Sequence, residues 1–93
     1  MTELEILKGL LAAWEEIGKN KDIAIKILDD RNYPHEKRRK LIDELKPKLT
    51  QLQKIARDVR KYVDEHKKAD AEQCLRSLHE DLRHMREWLK ENL

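Results

Sequence analysis

Apolar residues recur along the chain at the three- and four-residue spacing of a helix face, in three successive runs. The first run covers residues 3–31. Thr2, with Glu5 three residues on, forms a capping-box signature and predicts a helix starting at Glu3. Leu4, Leu7, Leu10, Leu11, Trp14 and Ile17 then follow, and Ile23, Ala24, Ile25, Ile27 and Leu28 lie beyond Gly18-Lys19-Asn20-Lys21. The heptad phase survives that interruption, since Leu7, Trp14 and Leu28 share one position and Leu10, Ile17 and Ala24 another. This favours one bent helix. Gly18 as the residue after a helix end, with Asn20 or Asp22 as a new cap, favours two short ones.

The second run covers residues 34–67. Asn32 suits a left-handed helix stop and Pro34 a helix start. Leu45, Leu52 and Val59 stand seven apart in a seam completed by Leu41, Ile42, Leu49, Ile55, Ala56, Tyr62 and Val63. Pro47 lies inside it, deleting one backbone donor at a cost of roughly 3 kcal/mol. The phase from Leu45 to Leu52 continues across the proline, and no capping residue stands where a break would need one. A kink is expected, not a break. The third run covers residues 71–92, with Asp70 as cap, Gln73 completing the box, and a seam of Ala71, Leu75, Leu78, Leu82, Met85 and Leu89.

Three long helices joined by short turns run antiparallel to their neighbours. The expected fold class is therefore all-α: an elongated antiparallel three-helix bundle, or four helices if the first breaks at Gly18. Without a linker, an internal repeat or a low-complexity tract, residues 1–93 read as a single helical-bundle domain.

Composition narrows the class. The chain has two Gly, one Cys and no Phe, and 43% of it is charged. That is too little glycine for a Gly-rich nucleotide-binding α/β enzyme, and a single cysteine supports neither a disulfide scaffold nor a Cys-based zinc site. No apolar run reaches the ~18 residues of a membrane span, and the acidic N-terminus is unlike a signal peptide. A cytoplasmic protein is expected.

The net charge of +2 hides an uneven distribution. Residues 1–31 carry seven acids and five bases, residues 32–69 six acids and twelve bases, and residues 70–93 six acids and four bases. The central helix is thus strongly basic, and on one flank: Arg39, Lys46, Arg60 and Lys67 share one heptad position, and Lys40, Lys54, Lys61 and Lys68 the next. Such a stripe can follow a phosphate backbone. It can equally match the acidic side of helix 1, Glu15, Glu16, Asp22, Asp29 and Asp30, across an antiparallel interface. Lys37-Arg38-Arg39-Lys40 opposes the dipole at a helix start. Arg38 and Arg39 could capture an anion there, or Asp29 and Asp30 could neutralise the cluster across the turn. Candidate anion or nucleic-acid contacts are Arg38, Arg39, Lys40, Lys46, Lys54, Arg60 and Lys61.

Catalytic chemistry finds little support. His79 and His84 lie on different helix faces, as do Ser77 and His79, so no nucleophile–base pair forms. The zincin patterns and the paired Glu-x-x-His motifs of bundle di-iron sites are absent. The solvent-face set Glu80, His84, Glu87 and Glu91 pairs more simply with Arg76 and Arg83 than with a metal. Cys74 borders the third seam as a half-buried thiol. The reading is no enzyme, no cofactor and no metal.

Helix 1 is apolar over an arc wider than one bundle seam needs, and Ile23 lies outside even that arc. Such an arc is either buried within the monomer or covered by a partner or a second copy; on the second reading Ile6, Leu10, Ala13, Trp14, Ile23 and Ile27 are the candidate partner-binding residues. Bundles of this size occur among secretion chaperones, viral and phage regulators and adaptor modules, and no motif here selects one. The sequence therefore reads as a non-catalytic coiled-coil-like module for protein–protein interaction, with a homodimer expected. The alternative is a nucleic-acid-associated regulator using the basic stripe.

Overall fold

A computed structural model describes residues 1–92 and shows three helices: α1 (Glu3–Asp29), α2 (His35–Asp64) and α3 (Lys68–Glu91). All three pack against one another in a rod of 49 × 18 × 16 Å. The chain runs up, down and up. Glu3 meets His66 at one end, and Asp30 meets Arg38 at the other.

The predicted capping box opens α1: the Glu5 N–H donates to Thr2 Oγ1 at 3.2 Å, and the Thr2 N–H donates to Glu5 Oε1 at 3.4 Å. The helix then runs unbroken through Gly18. The break fails because the apolar phase is kept on both sides and the packed face carries the helix through a residue of low propensity. Asn20 is accordingly not a cap. It is buried at 2% exposure in mid-helix, and its Nδ2 has no acceptor among the protein atoms.

Helix α2 is likewise continuous through Pro47. Pro47 and Asp43, whose carbonyl loses its donor, are both exposed, so water can serve that carbonyl. One turn on, Thr50 Oγ1 donates to the Lys46 carbonyl at 2.9 Å.

The turns differ from expectation. Asn32 is not left-handed, His66 being the non-glycine residue with positive φ among those described. Asp30 ends α1 by a local turn instead. Its carboxylate accepts the Asn32 N–H at 3.0 Å and its carbonyl accepts the Tyr33 N–H at 3.1 Å. At the other end, α2 closes in a Schellman motif: the Lys67 N–H donates to the Tyr62 carbonyl at 2.8 Å and the His66 N–H to the Val63 carbonyl at 3.0 Å. His66 takes the left-handed position at φ 59° that glycine usually fills. Because that motif ends at Lys67, α3 starts directly after it. Asp70 therefore lies inside the first turn of α3, where its charge suits the helix dipole but does not cap.

One seam from each helix fills the core: Ile6, Leu10, Ala13, Ile17, Ala24 and Ile27 from α1, Leu41 to Val63 from α2, and Ala71 to Leu89 from α3. A Cβ added at Gly9 would stand 2.8 Å from Leu75 Cδ2, so glycine allows α3 to pack tightly on α1.

Two outcomes check this architecture. His66→Gly should raise stability by about 1 kcal/mol, by relieving a left-handed residue that carries a Cβ; an unchanged or lower urea midpoint would contradict the turn geometry. Leu82→Ala, at a fully buried site, should cost ~2–5 kcal/mol, whereas Leu11→Ala should change stability by less than ~0.5 kcal/mol. Equal losses in denaturant titrations would mean that Leu11 is packed into the core and not exposed.

Candidate interaction face

Helix α1 carries two apolar seams, and only one of them is used by the bundle. The inner seam runs Ile6, Leu10, Ala13, Ile17, Asn20, Ala24, Ile27, all buried. The outer seam runs Leu4, Leu7, Leu11, Trp14, Gly18, Lys21, Ile25, Leu28 at alternating steps of three and four. Leu4 is 62% exposed, Leu11 64%, Ile25 53%, Trp14 38% and Leu7 37%. An apolar strip along a whole helix is more than the scattered exposed leucines of an ordinary surface.

This arrangement corrects the residues expected to meet a partner. Ile6, Leu10, Ala13 and Ile27 belong to the core and are unavailable. Ile23 is half-buried against that core and not outside the arc. Trp14 alone of the six lies on the outer strip. Leu4, Leu7, Leu11 and Ile25 are the residues sequence reasoning missed. Their spacing was visible, but nothing local says which of two equally regular seams turns inward.

Neighbouring contacts fix the direction of the strip. The Gly9 backbone faces Leu75, and Glu16 pairs with Arg86, so α3 lies on that flank of α1. At about 100° per residue the outer seam occupies the other flank, beside α2. On α2, Lys48 stands over the Trp88 ring at 5.0 Å and the Ile55 carbonyl accepts from Cys74 Sγ at 3.4 Å, which puts α3 on the Lys48/Ile55 side. Arg39, Lys46 and Arg60 project from the opposite side and border the α1 strip.

The basic flank is solvent-facing. Arg39, Lys40, Lys46, Lys54, Arg60 and Lys61 are all exposed, and among the described residues none of them forms an ion pair with a carboxylate. The expected match between this flank and the acidic side of α1 does not form within one chain. Asp29 and Asp30 do not neutralise the 37–40 cluster by side-chain pairing either. Instead Arg38 Nη2 donates to the Asp30 backbone carbonyl at 2.7 Å, placing a cation at the C-terminus of α1.

Among the described residues, no three His, Cys, Asp or Glu side chains are grouped to share a metal ion. A groove of about 490 Å³ at the α1–α2 turn is lined in part by Asp30, Tyr33, Lys37, Lys40, Glu44 and Glu91, which set charges of both signs around it. No described helix is long and apolar enough to cross a membrane. Burial, aided by the Asp58 charge, pushes the Cys74 thiol up from its ordinary value, which lowers its thiolate fraction.

Comparison with known proteins supplies no relative: no family model matches the chain, and no curated protein or solved structure resembles it significantly.

Cys74 provides a check on the α2–α3 packing. With its pKa raised, Cys74 should react with iodoacetamide at pH 8 several-fold more slowly in the folded protein than in urea. Equal rates would mean the thiol is free of the Ile55 carbonyl.

Proposed function

We propose that this protein is a non-catalytic, cytoplasmic interaction module that works by presenting a helix face to itself or to a protein partner, in the manner of an adaptor, chaperone or regulator. The observation that carries the reading is the outer seam of α1. Five large apolar side chains at coiled-coil spacing along one helix reach solvent, Leu4, Leu11 and Ile25 with more than half of their surface. Leaving them in water forgoes roughly 25 cal/mol per Å² of apolar surface, which a covering partner recovers before the costs of association. The nucleic-acid alternative is supported by the unpaired basic flank of α2. Against it stand the net charge of only +2 and the lack of aromatic side chains interleaved with those cations for stacking on bases.

A photo-crosslinking residue at Leu11, in the native host, should give a discrete protein adduct that the same residue at exposed Ser77 on α3 does not. Absence of any adduct at Leu11, together with nucleic-acid adducts from a probe at Lys54, would replace this reading with the alternative.

A further inference from the structure

We infer that the covering partner is a second copy of this chain, docked through the α1/α2 face about a two-fold axis parallel to the long axis of the bundle. The inference rests on the interaction-module reading and adds the occupant and its orientation.

The charge pattern across the face carries it. On α1, the edge of the outer seam away from α2 holds Glu15, Asp22 and Asp29, each one position beyond a seam residue. On the other edge stand Arg39, Lys46 and Arg60 of α2. Across the face the order is therefore acidic edge, apolar strip, basic edge. A two-fold axis along the rod lays the acidic edge of each copy on the basic edge of the other, as a self-complementary interface requires. An axis perpendicular to the rod would instead set acid on acid and base on base, which is strongly disfavoured. The charges select the parallel pair.

Heights along the rod agree. Asp30 lies beside Arg38 at one end and Glu3 beside His66 at the other, so positions of equal height on α1 and α2 have residue numbers that add to about the same total. An axis parallel to the rod preserves height. Asp29 then lies level with Arg39 of the partner copy and Asp22 with its Lys46, while Glu15 lies level with the neutral Gln53 of the same edge. Lys8, level with Arg60, and Lys21, level with its own counterpart, are the mismatches.

The size is adequate. From Leu4 to Leu28 the strip is ~36 Å long, and a face two helices wide spans ~20 Å, giving on the order of 700 Å² per copy, close to the ~800 Å² of a standard interface. Gly18 fits the same picture. No atom stands within 4 Å of a Cβ placed there, so nothing in the single chain demands glycine where alanine would favour the helix. At the middle of the seam, on the two-fold axis, glycine lets two helix backbones approach. Lys21 interrupts the strip, and one lysine at a seam position limits affinity while favouring a defined register.

The test uses the full chain. Sedimentation equilibrium should give twice the 11.2 kDa chain mass at high micromolar concentration. Asp22→Lys and Lys46→Asp should each weaken the dimer by about 10-fold, and the double variant should recover most of that loss. In a Cys74→Ala background, Leu11→Cys should oxidise to a self-linked dimer, since a parallel axis brings Leu11 to its own counterpart. A mixture of Leu4→Cys and Leu28→Cys chains should not cross-link to each other, and circular dichroism should be unchanged in all variants. A monomer at every concentration overturns the inference; if Leu11 adducts to another protein persist, the interaction-module reading survives it. Cross-linking between positions 4 and 28 overturns the parallel arrangement. A monomer whose Trp14 emission shifts to the blue on anionic phospholipid vesicles would assign the strip to a membrane surface and overturn the second copy.

Discussion

Each helix of this bundle has to bury an apolar seam, and the small core that results leaves no room for a second seam on any of them. At Gly9 α3 lies close against α1, where an added Cβ would stand 2.8 Å from Leu75 Cδ2. With α3 on that flank, the Ile6–Ile27 seam points inward and the Leu4–Leu28 seam points out beside α2. The exposed strip, the placement of Trp14 and the adjacency of apolar and basic surfaces all follow from it.

How far the sequence can be read depends on how local each determinant is. The Thr2–Glu5 box was legible because both partners and both backbone groups lie within one turn. The seams of α2 and α3 were legible because each of those helices has one apolar face. Helix α1 was not, because its two seams are equally regular in spacing and the choice between them is made by another helix. The stop at His66 was invisible for a different reason: the Schellman motif is built from backbone groups, and histidine carries none of glycine's signal. Arg38 was singled out as a cation, but the partner it found is a main-chain carbonyl, which no pattern of side chains encodes.

The charges show why a net value informs so little. A sum of +2 describes a nearly neutral rod, yet one edge of a single face is anionic and the other cationic, with apolar surface between them. The same strip that invites association is fenced by charge on both sides, and a fence of opposite signs restricts what can lie across it. That is how a surface can be sticky and still discriminating.

Asn20 gives α1 a division that its geometry does not display. Its buried amide donor has no protein acceptor, two residues after a glycine that contributes no side chain and next to a lysine. Hydrogen bonding along the backbone is continuous there, but none of Gly18, Lys19, Asn20 and Lys21 adds an apolar side chain to the core that Ile17 and Ala24 enter on either side. Water seeking that amide has its easiest entry at this waist. The helix should therefore behave as two cooperative halves joined by a soft middle, each half able to open without dragging the other with it.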